Sequence, residues 1–554
     1  MTRPPIRPRA DAPTVFLHWL VAVTLAVSLA TGLRISVDTP HSVWSRALSP
    51  ILPQGDVVTW HLYGAYALTV GAVAYLVFLR RARVSARVQL SLGALGASDH
   101  ETRWRAINRT LYWVVFALIA IQSVTGTLLY FTPPGLLPRQ FVAASHRWVA
   151  WAVMAYVGLH IVAQFGFGGI RQLLKIVTPR VAYVGAGGLA LGVSIAVTAV
   201  VYPIDRATIH SLKIMQVSQT PVIDGDPRDA VWQQAKPVTI HTTEGANLPG
   251  GEVAVRVRGV HDGERVYFLF EWPDTTRSQK HLPLIKTAEG WKVIESQYGI
   301  QDEGDYYEDK FGVMFSTSAQ IGGGATHLGP QPLTGKPGSP NQRGLHYTTD
   351  RSIVDVWHWK SVRTGPLGQI DDNYFGPPMP TPSNPGERYT GGYTQDPKQG
   401  GGFDQNWTKR ADSAFVLPKR LPKDLQVMQA RLGTVNLDPH VSDDGQWWMA
   451  LEDTVPYTPE LATSPVGTVL PSVLIDKPFV GDRGDVTAVG TWEDGWWRLE
   501  ATRKLDTQSK FDLPIQSGIY LWVAVFDHTQ TRHSRHLHPV RVEIEAMSAR
   551  HAAR

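Results

Sequence analysis

The chain of 554 residues contains no cysteine. This absence excludes disulfide bonds, a thiolate nucleophile, cysteine-bound zinc and iron–sulfur clusters. It also excludes the C-x-x-C-H motif, so any haem in the protein has to be held non-covalently. The sequence also lacks a nucleotide-binding motif and a metal-hydrolase signature.

Long apolar runs are confined to the first 202 residues, and residues 203–554 contain none of spanning length. A bilayer is crossed by about 20 apolar residues in a helix. Five runs reach this length, near residues 14–33, 58–79, 110–131, 146–166 and 181–202. We therefore expect an all-α transmembrane four-helix domain over 1–180, a fifth helix over 181–202 that acts as a tether, and an exported domain over 203–554.

Arginine and lysine are distributed unevenly between the loops that join these runs. Three segments are rich in them: the N-terminal tail, the loop after the second run and the loop after the fourth. The two opposite loops hold only Arg34, Arg46 and Arg139. Because basic loops remain in the cytoplasm, the pattern predicts a cytoplasmic N-terminus and an exported C-terminal domain.

Aspartate, glutamate and lysine are absent from the first four runs, but four histidines are present. His18 and His160 lie near the cytoplasmic ends of their runs, and His61 and His146 lie near the outer ends. Fourteen residues separate His146 from His160, which is close to four helical turns and about 21 Å along the axis. Their depths therefore pair His146 with His61, and His160 with His18.

Two pairs of intramembrane histidines indicate two haem b groups with two axial histidines each. Imidazole is a common axial ligand of haem iron, and ionisable residues inside a membrane are usually functional. A haem also needs helices that approach closely. The residues that provide such space are Thr31, Gly32, Gly64, Thr125 and Gly126.

The histidine pattern over residues 10–180 resembles the membrane cytochrome b of formate dehydrogenases and nickel–iron hydrogenases, also called the bacterial cytochrome b561 type. The residues that carry the resemblance are His18-Trp19, His61 with Gly64, and His146 with His160. The resemblance implies two b haems, exchange of electrons with the quinone pool and a bacterial inner (cytoplasmic) membrane, which makes the exported domain periplasmic.

The exported part reads as a mostly β, sandwich-like domain made of short strands separated by turn signals. The predicted strands are Glu252–Val260, Arg265–Trp272, Lys310–Ser316, Ser352–Lys360, Trp447–Glu452, Gly495–Arg503, Ile519–Phe526 and Val540–Glu545.

Four segments of this part resemble the haem-binding domain of the ethylbenzene dehydrogenase gamma subunit. They are Pro221–Gly225 with Trp232 and Ala235, Phe268–Ser278, Asp309–Phe315 and Val354–Lys360. The resemblance implies a third haem b, held in that family by a methionine and a lysine.

The expected methionine position differs in this chain, because His327 stands in the glycine-bearing segment Gly322–Gly329. The resemblance therefore points to His327 as one iron ligand and to Lys360 as the other, with His358 and Met379 as alternatives to Lys360. A lysine ligates iron only when deprotonated, which burial favours. Alternation along the strand puts His358 and Lys360 on one face and Trp357 on the other.

Three further features of the exported part leave alternatives open. The Pro- and Gly-rich segment 371–407 is either a lid over a haem edge or a plain surface loop. An acidic run either docks a basic carrier or is a solvated face; its members are Asp302, Glu303, Asp305, Glu308 and Asp309. A late histidine group is a candidate metal site; its members are His528, His533, His536 and His538.

These patterns predict a membrane-bound electron-transfer cytochrome that links the quinone pool, through two transmembrane haems, to a periplasmic haem b domain and a periplasmic redox partner. It would serve as a quinol-oxidising or quinone-reducing subunit, with no nucleic-acid partner. One alternative is a ligand- or carbohydrate-binding sandwich anchored by the two-haem core. Another is a small-molecule reductase that uses only the membrane haems.

Overall fold

The computed structural model describes most of the chain. The described residues are 10–37, 51–53, 57–131, 137–177, 179–207, 209–294, 305–319, 346–348, 350–381, 383, 389–410, 414–461, 463–530 and 532–545. They form two compact units, Met1–Thr208 and Ile209–Arg554.

The first unit, called here the helical unit, contains the five predicted apolar helices, and each is long and apolar enough to cross a membrane. They are α1 (Ala12–Val37), α2 (Val57–Arg81), α3 (His100–Phe131), α4 (Arg139–Leu173) and α5 (Val184–Ala207). Even the shortest, α5 with 24 residues, is about 36 Å long, which exceeds a hydrocarbon core of about 30 Å.

Small side chains let the helices of this unit approach closely. α1 packs on α2, α3 packs on α4, and α5 packs on α2. A Cβ added to Gly64 of α2 would lie 2.8 Å from Oγ of Ser28 in α1, so a larger residue does not fit there. The hydroxyls of Thr69 and Ser123 are 2.8 Å apart and join α2 to α3.

The basic segments meet at one end of the helical unit. Asp11, before α1, forms an ion pair of 2.7 Å with Arg87 in the segment after α2. The backbone N–H of Arg180, between α4 and α5, donates to the carbonyl of Ala10. The described parts of these segments, at Asp11, Arg87 and Arg180, therefore lie on one side of the helical unit.

The second unit, called here the β unit, is mostly β, as predicted. Its short helices are α6 (Ala230–Gln234) and α7 (Leu425–Leu432). Its strands are β1 (His210–Gln216), β2 (Val238–Thr242), β3 (Val253–His261), β4 (Arg265–Pro273), β5 (Leu284–Lys286), β6 (Trp291–Val293), β7 (Lys310–Ser316), β8 (Val354–Lys360), β9 (Asp371–Phe375), β10 (Tyr393–Gln395), β11 (Phe403–Gln405), β12 (Trp407–Lys409), β13 (Val416–Pro418), β14 (Arg420–Pro422), β15 (Met449–Ala450), β16 (Thr454–Pro456), β17 (Val469–Leu470), β18 (Val473–Ile475), β19 (Thr487–Glu493), β20 (Trp496–Lys504), β21 (Tyr520–Phe526) and β22 (Val540–Ile544).

One 12-stranded sheet forms the sandwich by bending over itself. Its order is β10-β9-β8-β7-β21-β22-β1-β3-β4-β20-β19, and β2 pairs with β3 beside this path. β1 joins the two halves, because its first residues pair in parallel with β22 and its last two pair with β3. The halves then face each other: Trp272 of β4 stacks on Phe311 of β7 at 4.5 Å between ring centroids.

A second, smaller core was not foreseen. It is built from short strands β5, β6, β12 and β13 together with α7, around residues such as Trp291, Trp407 and Trp447. The segment 371–407 contributes β9, β10 and β11, so the interpretation as a plain surface loop was wrong for these residues. The predicted strand Trp447–Glu452 is reduced to β15, because a 3₁₀ turn follows at Leu451–Asp453.

Candidate functional site

The structure brings the four membrane histidines together in the two predicted pairs. The rings of His61 and His146 have centroids 6.3 Å apart, and so do those of His18 and His160. All four side chains are half-buried. The helical path from His146 to His160 is regular, because the break in α4 comes later, at Gly168 and Gly169.

This separation suits one metal ion between the two rings of each pair. A metal–imidazole bond is about 2 Å long, and the bonding nitrogen lies about 1 Å from the ring centre, so two rings that share a metal stand about 6 Å apart. Both pairs have this spacing.

Hydrogen bonds fix the ring of His61 for ligation. Its Nδ1 lies 3.0 Å from the carbonyl oxygen of Ser28 and 3.1 Å from Oγ1 of Thr31. A carbonyl oxygen only accepts, so Nδ1 carries the proton and donates it. The lone pair is then left on Nε2, which is the usual arrangement for a metal-bound histidine with a supporting partner.

The same reasoning applies to His146. Its Nδ1 lies 2.8 Å from Oγ1 of Thr125. That hydroxyl already donates its proton to the carbonyl of Ile121, at 2.8 Å, and therefore accepts from His146. Nε2 of His146 is again the nitrogen with the free lone pair.

Glycines next to these threonines make room for the two rings. A Cβ added to Gly32 would lie 3.1 Å from Cε1 of His61, and one added to Gly126 would lie 3.3 Å from Cε1 of His146. The sequence pointed to Thr31-Gly32 and Thr125-Gly126 only as space. The hydrogen-bonding role of the threonines was missed, although the repeated Thr-Gly pair on α1 and α3 is its sequence signal.

The His18–His160 pair is supported by aromatic residues. The ring of Tyr156 stacks on His160 at 5.6 Å, and its hydroxyl lies 3.4 Å from Nδ1. Trp19 stands edge-on to His18 at 6.1 Å, and its indole N–H donates to the carbonyl of Ile176. These contacts orient the rings less tightly than the threonine bonds do at the other pair.

In the β unit, Lys360 is buried at the end of β8, and its amino group takes part in an ion pair. Nζ forms an ion pair with Asp371, which is also paired with Arg483 at 2.5 Å. Burial lowers the pKa of Lys360 to about 8, while Asp371 opposes that shift. Lys360 does not fit a haem ligand in this geometry, because ligation requires the loss of its ion pair.

His358 fits an iron ligand better than Lys360 does. It shares the face of β8 with Lys360, while Trp357 and Trp359 point into the sandwich core, as alternation predicts. Its ring stacks on Phe526 at 5.2 Å, and its buried Nε2 has no hydrogen-bond partner among the described residues. Burial, followed by the nearby positive charges, holds the pKa of His358 well below its usual value, so the imidazole is neutral.

The other two residues proposed for this haem give less information. His327 lies outside the described residues. Met379 is half-buried, and its backbone N–H donates to the carbonyl of Gly391.

The acidic run has a structural role at its described end. Glu308 is fully buried and pairs with Arg363, and Asp309 accepts hydrogen bonds from the backbone of Ser278 and His528. Burial alone would raise the pKa of Glu308, but Arg363 holds it below its usual value. A solvated face was therefore the wrong interpretation for Glu308 and Asp309, while Asp302 and Glu303 lie outside the described residues.

The late histidines do not form a shared site in the described chain. Nε2 of His536 accepts from the backbone of Val523, and its Nδ1 donates to the carbonyl of His538. His533 donates to the carbonyl of Ser534. These hydrogen bonds join the rings to the backbone near the final strands of the sheet, so His533 and His536 have a structural role.

A cleft of about 680 Å³ opens in the β unit on the tryptophan side of β8. Its aromatic lining consists of Trp359, Trp448, Trp492 and Trp497, and its polar lining includes Arg277 and Arg431. Lys360 points to the other face of β8, so a ligand in this cleft is not bound by Lys360.

The helical unit, with its apolar helices and histidine pairs, is that of a membrane cytochrome b that carries electrons. Residues 9–179 match the family of prokaryotic cytochrome b561, which implies b-type haem in this unit. Residues 229–537 match the ethylbenzene dehydrogenase family. This second match covers more than half of the chain, so the protein belongs to the ethylbenzene dehydrogenase family and carries a cytochrome b561 module before that domain.

Similar solved structures include a family 9 carbohydrate binding module (CBM9) from Caldicellulosiruptor kristjanssonii. In its glucose complex, the identity is 10%, the match covers 61% of this chain and 97% of that chain, and the TM-score is 0.22. In its cellotriose complex, the identity is 9%, the match covers 62% of this chain and 96% of that chain, and the TM-score is 0.21. The comparison with curated proteins gave no match.

Proposed function

We propose that the protein moves electrons across a bacterial inner membrane between the quinone pool and a periplasmic redox partner. The single observation that carries the proposal is the pair of histidine pairs with equal ring spacing, 6.3 Å in each. His61 with His146, and His18 with His160, would each hold one haem b. Haem iron supplies reversible one-electron transfer when bound.

The chain's own residues orient and separate the two proposed centres. Thr31, Ser28 and Thr125 hold His61 and His146 with Nε2 free, and α4 carries one ligand of each pair about 21 Å apart along its axis. Two centres at different depths form a path along the membrane normal, which a single centre does not provide. The proposed exchange of electrons with quinone is supported only by the match to the cytochrome b561 family.

We also propose a third haem b in the β unit, with His327 as one ligand and a second ligand from β8. The contacts of the described residues favour His358 over Lys360, because Nε2 of His358 is unpartnered and Nζ of Lys360 is paired with Asp371. Lys360 would serve only after it has lost its proton and its ion pair.

The membrane centres are tested on the full chain in detergent with single histidine variants. We expect His61→Ala to lose one membrane haem and His18→Ala to lose the other, each leaving the remaining membrane haem with its redox-active spectral bands. His100→Ala is the matched control, because His100 is exposed at the start of α3 and belongs to neither pair. Retention of both haems in both single variants would overturn the assignment.

The third centre is tested by electron paramagnetic resonance of the full chain. His327→Ala is expected to change the low-spin signal of one haem. His358→Ala and Lys360→Ala then identify the second ligand, because only the true ligand changes the same signal. An unchanged signal in all three variants would remove the third haem from this proposal.

The tryptophan-lined cleft supports a second candidate, a ligand-binding module anchored by the membrane cytochrome. The half-buried indole rings of Trp448 and Trp492, with arginine and glutamine side chains, provide stacking surfaces and hydrogen-bond donors for a flat polar ligand. Titration of the full chain with soluble glucans, followed by tryptophan fluorescence, tests it. Saturable quenching that Trp492→Ala abolishes would favour this candidate.

A further inference from the structure

Five aspartates from five separate segments converge at one place in the β unit. They are Asp355 of β8, Asp372 of β9, Asp396 after β10, Asp485 before β19 and Asp512 between β20 and β21. We call them the carboxylate cluster. None of them belongs to the candidate haem sites.

The carboxylate cluster is buried and compact. Asp355 and Asp372 are fully buried, Asp396 and Asp512 are 3% and 7% exposed, and Asp485 is half-buried. Oxygen atoms of Asp372, Asp485 and Asp512 lie within 4.8 Å of one another, which is close enough for all three to contact one ion.

Positive charge among the described residues does not match these five carboxylates. The cation that contacts them is the fully buried Arg503, whose Nη1 lies 2.7 Å from Asp355, 3.6 Å from Asp512 and 3.9 Å from Asp372. One guanidinium offsets one of five possible negative charges. Buried charges without such compensation are strongly unfavourable.

Unpartnered oxygens show where a ligand is needed. No described donor reaches either carboxylate oxygen of Asp396, although the side chain is only 3% exposed. Its interaction partner is instead another carboxylate, that of Asp512. One oxygen of each of the other four aspartates also lacks a hydrogen-bond partner among the described residues.

We propose that the carboxylate cluster binds one Ca²⁺ ion, with Asp372, Asp485 and Asp512 as ligands and Asp396 beside them. Ca²⁺ takes six to eight oxygen ligands, carboxylates above all, in a flexible geometry. Ligands from three segments of different conformation suit Ca²⁺ better than Mg²⁺, which demands a near-ideal octahedron.

A second acidic group in the β unit shows the contrast. Asp309, Asp527 and His528 also lie close together. The carboxylate of Asp309, however, accepts from the backbone of Ser278 and His528 and from the indole of Trp497, and Asp527 is bonded to His528. The protein itself provides partners for the two carboxylates of that group, and the atom left without one is Nε2 of His528. In the carboxylate cluster it is carboxylate oxygens that lack partners.

The Ca²⁺ ion would join the three segments that carry Asp372, Asp485 and Asp512, with Asp396 of a fourth segment beside it. β8 and β9 lie in the main sheet, whereas Asp485 and Asp512 stand in the connections before β19 and β21. An ion that binds only the folded state stabilises it in proportion to its occupancy. We therefore expect removal of Ca²⁺ to loosen the β unit and to leave the helical unit unchanged.

The test uses the full chain in detergent, treated with a chelator and then dialysed against buffer that contains Ca²⁺. Elemental analysis is expected to find one Ca²⁺ per chain in the wild type, and none in Asp485→Asn or Asp512→Asn. Asp476→Asn is the matched control, because Asp476 is exposed in the same unit and is expected to keep the ion. Equal Ca²⁺ in the wild type and in both cluster variants would overturn the proposal.

A second measurement uses only the wild-type protein, so it tests the proposal even if a cluster variant does not fold. The thermal unfolding of the wild-type β unit, followed by tryptophan fluorescence, is recorded with chelator, with Ca²⁺ and with Mg²⁺. Ca²⁺ is expected to raise the midpoint by several degrees over chelator, and Mg²⁺ to have little effect. Identical midpoints in chelator and Ca²⁺ would contradict the proposal. The haem spectra serve as an independent readout, so failure here does not affect the proposed electron transfer.

Discussion

Hydrogen bonds at Nδ1 fix the ring orientation of His61 and His146 and leave the lone pair on Nε2 for the proposed haem iron. His61 has two acceptors, the carbonyl of Ser28 and the hydroxyl of Thr31, whereas His146 has the hydroxyl of Thr125. A partner at the second nitrogen raises the basicity of a metal-bound imidazole. The two threonines are therefore positioning residues of unequal importance.

Substitution of Thr125 is expected to affect the His61–His146 haem more than substitution of Thr31. Thr125→Val removes the acceptor of His146 and is expected to raise the midpoint potential and weaken haem retention by about 10–100-fold. Thr31→Val leaves Ser28 in place and is expected to have a smaller effect. Redox titration of both variants shows which one changes the midpoint potential more. Thr125→Ser keeps the hydroxyl and is expected to keep the wild-type potential. A larger effect of Thr31→Val would contradict this view of the site.

Buried carboxylates also make stability depend on pH in the β unit. Burial raises the pKa of Asp274 well above 3.8, and Asp527 adds to the shift. The folded state therefore binds a proton that the unfolded state has lost, and stability falls as the pH rises from 3.8 towards the raised pKa.

Asp274→Asn is expected to remove part of this pH dependence. Above the raised pKa, the variant is expected to gain about 1.4 kcal/mol in the free energy of unfolding for each unit of pKa shift that it abolishes. Unfolding midpoints at about pH 5 and about pH 8 measure it, and the difference between them is expected to shrink. Asp476→Asn, at an exposed residue of the same unit, is the control. An unchanged difference in Asp274→Asn would show that this carboxyl is not the one that titrates.

At the scale of helices, the glycines of α1 and α3 set how closely these helices approach the ligand rings. An added Cβ at Gly126 lies 3.3 Å from His146, tighter than normal packing. Gly126→Ala is expected to displace this ring and destabilise the site by about 1–3 kcal/mol, seen as loss of one haem. Gly188→Ala on α5, where a Cβ meets nothing within 4 Å, is the control. Full haem retention in Gly126→Ala would contradict the close packing.

The helices and the histidine pairing follow from the sequence because both depend on local periodicity. Fourteen residues on one helix fix the relative direction of His146 and His160, and apolar runs of 20 residues have few alternative structures. Many strands of the main sheet were also located within a few residues, since their alternation is local. The strands β9, β10 and β19 of the same sheet were not predicted.

Long-range contacts explain what the sequence did not reveal. The burial of Glu308 depends on Arg363, and the carboxylate cluster forms only when β8, β9 and three connections meet. The acidic run and the Pro-rich segment look solvated when taken alone. Arg363 lies 55 residues after Glu308, and Arg483 lies 112 residues after its partner Asp371, so no local pattern indicates these contacts.

At the scale of the whole molecule, the proposed electron transfer depends on the side of the membrane on which each unit lies. Arg87 and the backbone of Arg180 contact the start of α1 at one end of the helical unit. If all five apolar helices span the membrane, as we propose, the β unit is expected on the side opposite these basic segments. A periplasm-active reporter fused after Arg554 is expected to be active, and the same reporter inserted in the segment 89–97 is expected to be inactive. The opposite pattern would refute the orientation.

The central claim is that the helical unit holds two b haems between its histidine pairs. The most direct measurement is the number of haems per chain in the purified full-length protein, from pyridine haemochrome spectra and amino-acid quantification. We predict three for the wild type, with two remaining when the β-unit ligands are removed. A wild-type value of one or none would contradict the account.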